Sequence, residues 1–503
     1  MTKPMLIEQI LHHCRMTPEK IAYQSMSGSM TYGQLVRSAQ RLAHALDKAT
    51  PAQTPVLVYG HKQPLMPVCF LACALSGRAY VPADEGIPPE RVLRMAELAG
   101  AQLVLAVSPI AIDATPMLTQ QEIAAVCEND GCFAQYTPAP VDADDLVYIL
   151  FTSGSTGRPK GVKITRRNAD GFIGALCEVE GLWQGDTVLN QAAFSFDLSV
   201  ADLYGALCMG KTLFVLERAV MQDIPSLFAR LKESGAGTAV MTPSFAELCL
   251  ADRGFARRLL PQLKTIFFCG ETLCPATARR LFERFPLIRL FNAYGPTETT
   301  VAVTICELSP KWLEQELLPV GTELDGTHVY VVDEQCRPLA EGEIGQLLVT
   351  GTGVGAGYVG TEQGGFIRFR GECAYLTGDY GYRKDGTLFF TGRRDNQIKH
   401  RGYRMELQDI ERNLLRLCGV RQCAVVFVAG KRQYLCAYVC PEQGESLTAQ
   451  GVKAALRQHL PTYMIPERVR ITDSLPLTTN GKCDRAALLS SEIHLEGAPA
   501  WTS

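Results

Sequence analysis

The chain has no apolar run approaching the ~20 residues that cross a bilayer, and its first residues, Met1-Thr2-Lys3-Pro4-Met5-Leu6-Ile7-Glu8, put charge where a secretory apolar segment would form. Membrane insertion and export are not expected, and a cytoplasmic location is. Neither sign of charge is in excess. With 49 basic residues against 52 acidic ones, no surface built for nucleic acid is expected. There is no Cys-x-x-Cys pair, and the 18 cysteines are scattered, which in a long chain without an export signal indicates small buried hydrophobes rather than a disulfide framework. Cys269 and Cys274, or Cys436 and Cys440, lack partner histidines, so no structural zinc is expected. Internal repeats and low-complexity segments are missing as well.

What remains is an ordinary globular composition, 47% apolar and 20% charged, in a chain of 503 residues, too long for one core. Amphipathic and apolar helical patterns at 38–46 and 68–75 alternate with short apolar strands at 55–59 and 146–151, the wiring of an α/β fold with parallel sheets. Further strands are expected at 238–241 and 265–268, and a helix at 275–285 with Pro275 in its first turn. From Val329 to about Thr350 short strands and turn-rich links predict a small β-barrel-like subdomain. Past the charged stretch Gly392-Arg393-Arg394-Asp395, helix and strand patterns predict a small α+β C-terminal domain, and 492–503, without periodicity, a loose tail.

The strand at 146–151 runs into Thr152-Ser153-Gly154-Ser155-Thr156-Gly157-Arg158-Pro159-Lys160-Gly161. Glycines let backbone N–H groups approach a phosphate, hydroxyls donate further bonds, and Lys160 adds positive charge. The Gly-Lys-Ser/Thr ending of a P-loop NTPase is lacking. Alone, the segment is equally an ordinary Ser/Gly turn.

Its companions are Asn292-Ala293-Tyr294-Gly295-Pro296-Thr297-Glu298-Thr299-Thr300, Tyr375-Leu376-Thr377-Gly378-Asp379, Gly392-Arg393-Arg394-Asp395-Asn396-Gln397-Ile398-Lys399 and Asn480-Gly481-Lys482. In this order and spread they resemble the adenylate-forming superfamily of acyl-CoA synthetases, luciferases and peptide-synthetase adenylation domains, over nearly the whole chain. The resemblance implies ATP and Mg²⁺ as cofactors. It implies that Thr152 to Gly157 and Lys160 hold phosphates, Asn292 to Thr297 lie against the nucleotide, Asp379 accepts from the ribose hydroxyls and Arg393 fixes the nucleotide. Glu298 would hold Mg²⁺, and Lys482 would reach the carboxylate and α-phosphate, countering the charge that develops there. It also implies a core at 1–394, a mobile lid at 395–503 and a hinge at Asp395, so that adenylation and thiol transfer use two arrangements.

Asp197 stands in the apolar segment Phe194-Ser195-Phe196-Asp197-Leu198-Ser199-Val200, where a buried carboxylate needs a cationic partner such as a substrate ammonium. The alternative is a helix-capping Asp. The stretches 190–200, Thr242-Pro243-Ser244-Phe245, Phe268-Cys269-Gly270-Glu271 and Tyr403-Arg404-Met405-Glu406-Leu407 look like the D-alanine:D-alanyl carrier protein ligase family. That likeness implies that Asp197 pairs with the α-ammonium and that Cys269 and Val301 line the substrate pocket; Leu198 and Phe245, with Phe267, join them there. Without it, Cys269 is as readily a small core residue. Ala201 and Ala293 are small for an alanine-sized cavity, which leaves room for a slightly larger amino acid. Only roughly twenty residues follow Lys482, so the acceptor is expected to be a separate phosphopantetheinylated carrier protein. Ser446 lacks the aspartate of an attachment site and is expected to cap a helix. Two readings stand: a D-alanine-activating ligase for cell-envelope polymers such as teichoic acid, and a stand-alone peptide-synthetase adenylation enzyme for another small amino acid.

Overall fold

The computed structural model describes residues 6–112, 115–129, 136–154, 159–360, 364–393, 397–429, 433–476 and 483–497. The chain divides into two compact units. One comprises Met1–Glu85, Leu93–Phe151 and Gly161–Asp395; the other comprises Gly86–Val92, Thr152–Lys160 and Asn396–Ser503.

The first unit holds two large sheets. In the six-stranded one, Val56–Tyr59, Tyr80–Ala83 and Leu103–Ala106 are buried at every residue and pair in parallel. Burial on both faces is why these segments are continuous apolar runs rather than alternating ones. The helix Leu65–Leu75 between two of them is apolar all round and buried along almost its whole length. By contrast Tyr32–Ala49, which starts at a Thr31/Gln34 capping box, is apolar on one face only. The segment Leu146–Thr152 is a strand of this sheet, and Lys160–Thr165 is its neighbour.

The second sheet has fourteen strands. Its centre is parallel: Arg289–Tyr294, Thr265–Phe268, Thr238–Met241, Thr187–Asn190, Thr212–Val215 and Ile21–Ser25 lie side by side. Beyond Arg289–Tyr294 the pairing turns antiparallel through Thr304–Leu308 and Pro319–Glu323. It continues into Thr387–Arg393, Glu372–Lys384, Gly345–Gly351 and Thr327–Val332. The β-rich region foreseen after Val329 is thus joined edge to edge to the parallel sheet. This junction brings Asp379 and Arg393, from antiparallel strands, beside Tyr294 from a parallel one.

In the second unit a hairpin of Gln397–His400 and Tyr403–Glu406 leads into the helix Leu407–Leu414. Strands Val420–Val428, Tyr434–Pro441 and Arg468–Ile471 form a sheet with apolar cores on both faces. Two expectations are corrected here. The helix Ala449–Leu456 is capped by Thr448, whose side chain accepts from Gly451 N–H, and not by Ser446. The stretch after Glu492 is not a loose tail throughout, because the helix Arg485–Gly497 continues past it. Glu492 is fully buried and accepts from Tyr434, Tyr438, Arg468 and Arg470, a buried carboxylate that periodicity does not register.

Candidate active site

The strand Arg289–Tyr294 ends in a loop at 295–303, closed at its base by Val303 N–H on Tyr294 C=O at 2.8 Å. Gly295 lets the loop fold on itself: a Cβ there would lie 2.6 Å from Ala302 Cα and 2.8 Å from Val301 O. Successive side chains then reach different elements. Thr297 Oγ1 donates to Asp197 Oδ2 at 2.6 Å, and Thr300 Oγ1 donates to Gly353 O at 2.7 Å. Glu298, only 1% exposed, accepts from the Tyr358 phenol at 2.7 Å. Cys269 Sγ lies 3.6 Å from Val301 O as its donor.

On one side is a carboxylate held for hydrogen bonding. Asp379, buried, accepts from Tyr294 Oη at 2.7 Å through one oxygen and from Arg393 Nη1 at 2.5 Å through the other. Each oxygen keeps a second lone pair, so the group can accept from vicinal hydroxyls. Burial, and then the Asp379 charge, push the Tyr294 phenol well above its usual pKa, so it stays a donor. The Tyr294 ring stacks on Phe390 with centroids 5.8 Å apart. Asn292 donates to Pro319 O at 2.8 Å, which fixes its amide plane. Tyr358 also meets the Tyr375 hydroxyl at 3.1 Å, and Tyr375 lies on the same strand as Asp379. Glu298 and Asp379 are therefore supported by one strand.

On the other side Asp197 immediately precedes the helix Leu198–Cys208. It is half-buried, in α conformation, and makes no side-chain cap bond, which sets the capping alternative aside. Leu198, Cys269, Val301 and Ala293 are buried in one hydrophobic core, with Phe267 and Ala201. Phe245, on the helix Pro243–Leu250, packs in a separate core with Met241 and Phe268. Of the first four, Cys269 and Val301 are in direct contact through the Sγ–carbonyl bond.

Of the phosphate loop, Thr152, Ser153, Gly154 and Lys160 are described and fall in the second unit, while Ser155, Thr156 and Gly157 lie outside the described residues. Asp395 and Lys482 also lie outside them. Among the described residues no three His, Cys, Asp or Glu side chains are grouped to hold a metal alone. A lone buried carboxylate such as Glu298 suits Mg²⁺, which is commonly bound by one or two carboxylates together with phosphate oxygens and water.

Sequence reasoning missed Thr300, Tyr358 and Tyr375, and missed the bond by which Thr297 holds Asp197. One signal was present: glycine alternates at 351, 353, 355 and 357, just before Tyr358. Gly355 N–H donates to Glu298 O at 2.9 Å, and a Cβ at 355 would lie 2.9 Å from Lys163 O. Gly353 and Gly355 stand where other backbone passes close, which leaves no room for a side chain.

Comparison with known proteins places the chain in a family. Residues 10–359 match the family described as AMP-binding enzyme, and residues 409–482 match the AMP-binding enzyme C-terminal domain. The D-alanine–D-alanyl carrier protein ligase of Bacillus licheniformis is 39% identical over 495 residues, covering 96% of this chain and 98% of that protein. Its counterpart from Bacillus velezensis is 40% identical over 497 residues, covering 95% and 98%. A solved structure of an NRPS protein containing adenylation and PCP domains superposes with a TM-score of 0.83 at 28% identity, over 97% of this chain and 84% of that one. The chain belongs to the AMP-binding enzyme family, and to the same family as those two Bacillus ligases.

Proposed function

We propose that this protein is an AMP-forming ligase that activates D-alanine with ATP and passes it to a carrier protein. In the first step a carboxylate oxygen of D-alanine attacks the α-phosphorus of ATP, pyrophosphate leaves, and D-alanyl-AMP forms. In the second the phosphopantetheine thiol of a separate carrier protein attacks the acyl carbon, AMP leaves, and a thioester forms. The product would serve D-alanylation of cell-envelope polymers such as teichoic acid.

One observation carries the reading. The loop at 295–303 ties Asp197 through Thr297 and presents Glu298, and the Tyr294 that leads into it holds Asp379. Three carboxylates suited to an ammonium, a cation and a ribose share that support. Two anions must meet for adenylation, so prearranged cations and donors matter more than covalent chemistry. In this reading Asp197 pairs with the ammonium and Asp379 with Arg393 orients the ribose. Asn292, Ala293 and Tyr294 face the adenine, and Thr152 to Gly157 with Lys160 hold the phosphates that leave. Glu298 would hold Mg²⁺, which when bound would supply positive charge against the phosphates. Lys482 bridges carboxylate and α-phosphate, and rotation of 395–503 about Asp395 withdraws it before the thiol arrives. Cys269, Val301 and Leu198 keep the pocket small. The enzyme would act in the cytoplasm, where ATP is supplied; no helix among the described residues is long and apolar enough to cross a membrane.

Amino-acid-dependent exchange of pyrophosphate into ATP tests this across D- and L-alanine, glycine, serine and proline. Highest exchange with D-alanine is expected. Preference for an L-amino acid would instead favour a stand-alone peptide-synthetase adenylation enzyme, and no exchange with any acid would leave only nucleotide binding.

A further inference from the structure

Two successive β-branched residues, Thr300 and Val301, have left-handed backbone, with φ of 60° and 70°. Left-handed backbone is a genuine outlier for such side chains. Ala302 N–H donates to Thr300 O at 2.8 Å, so residues 300–302 form a three-residue turn with Val301 at its centre. The positive φ makes it the rare, strained form of that turn. Such conformers persist where the surroundings over-determine them, and they cluster at ligand clamps.

The surroundings here can be named. Thr300 Oγ1, fully buried, donates to Gly353 O at 2.7 Å, and Thr300 N–H donates to Thr297 O at 3.2 Å. Cys269 Sγ, 3.6 Å from Val301 O, holds the centre of the turn. Gly295 packs against the far side, where any Cβ would strike Val301 O. Gly353 is itself confined, since a Cβ there would lie 3.0 Å from Thr299 O. The turn thus decides where the Val301 side chain stands.

We propose that Thr300 is a positioning residue for stereochemical choice: its bond to Gly353 holds the strained turn that presents Val301 as a wall of the amino-acid pocket. This rests on the reading of the site as one for a small amino acid. With ammonium and carboxylate both held, enantiomers differ only in whether methyl or hydrogen faces a given wall. A wall that can shift loses that distinction. Cys269 also holds the turn and is assigned to the pocket surface, whereas Thr300 acts through the turn's conformation alone.

The test compares Thr300→Val and Thr300→Ser in the full chain, using pyrophosphate exchange with D- and L-alanine and varied ATP. Thr300→Val should lower the D-over-L ratio of kcat/KM about fivefold, through KM for the amino acid and not for ATP, while Thr300→Ser keeps the ratio. An unchanged ratio, or equal loss in both variants, overturns the proposal. If Thr300→Val yields little folded protein, adding Val301→Gly should restore folding, because glycine takes a φ of 70° without support; no restoration also overturns it. Wild-type preference for another amino acid overturns the proposed substrate and not the turn, and the same variants then read the enantiomer ratio for that acid.

Discussion

The Tyr358 phenol donates a 2.7 Å hydrogen bond to Glu298 Oε1, and both side chains are buried. Burial, and then the Glu298 charge, push the Tyr358 phenol well above its usual pKa, so it remains a donor at any pH the enzyme meets. Bonds to charged groups are worth about 1.5 to 3 kcal/mol, and leaving a buried carboxylate short of a donor costs comparably. Tyr358→Phe should therefore lower exchange activity by about tenfold or more and raise the Mg²⁺ concentration for half-maximal rate. A Mg²⁺ titration in which variant and wild type coincide would contradict a role for Tyr358 in orienting Glu298.

Asp197 is the carboxylate assigned to the substrate ammonium, and Thr297 holds it at 2.6 Å. Asp197→Asn should raise KM for D-alanine about a hundredfold with KM for ATP little changed, as expected for truncating one partner of a charge pair. Thr297→Val, which removes only the supporting donor, should raise it about fivefold. Steady-state kinetics with each substrate varied in turn separate these effects. Equal damage to both KM values would point to a disturbed fold.

Lys482 is assigned to adenylation alone. Lys482→Ala should lose nearly all exchange while still transferring the acyl group from supplied D-alanyl-adenylate to the carrier thiol. Single-turnover transfer measured beside exchange gives the answer, and parallel loss in both steps would remove the division of labour between the two arrangements.

Glu492 gives the second unit an acid limit. Burial alone would raise its pKa, but hydrogen bonds from Arg470 and Tyr434 outweigh burial and hold it at about 2, against 4.5 for an ordinary glutamate. The folded pKa is the lower one, so the stabilisation is complete above 4.5 and is lost as pH falls through about 2. Glu492→Gln should cost about 3 kcal/mol at neutral pH, because arginines lose their buried partner. The gap between variant and wild type in thermal unfolding should close as pH falls across that window; a constant gap would rule out this linkage.

Much of the architecture follows from local pattern. Continuous apolar runs such as Val56–Tyr59 and Thr238–Met241 are strands because both faces are covered, and burial on both faces leaves a signature in composition. The carboxylates Asp379 and Glu298 stand out in the sequence by residue type, and the structure buries both with hydrogen-bond partners. Their supports do not stand out. Tyr358 and Thr300 lie in the sequence as an ordinary aromatic and an ordinary hydroxyl, and they matter through partners on segments 60 and 53 residues away. The same holds for Glu492, on the helix Arg485–Gly497, whose partners Tyr434 and Arg470 lie on two strands. The capping expectation for Ser446 missed by two residues, since Ser446 and Thr448 both offer a hydroxyl and only backbone geometry selects Thr448. What the sequence by itself determined was the kind of chemistry: carboxylates, hydroxyls and glycines in spacings suited to a nucleotide and an ammonium. The tertiary structure alone decided which groups hold them in place, because a hydrogen bond between distant segments depends on how strands and loops are brought together, and no local pattern encodes that distance.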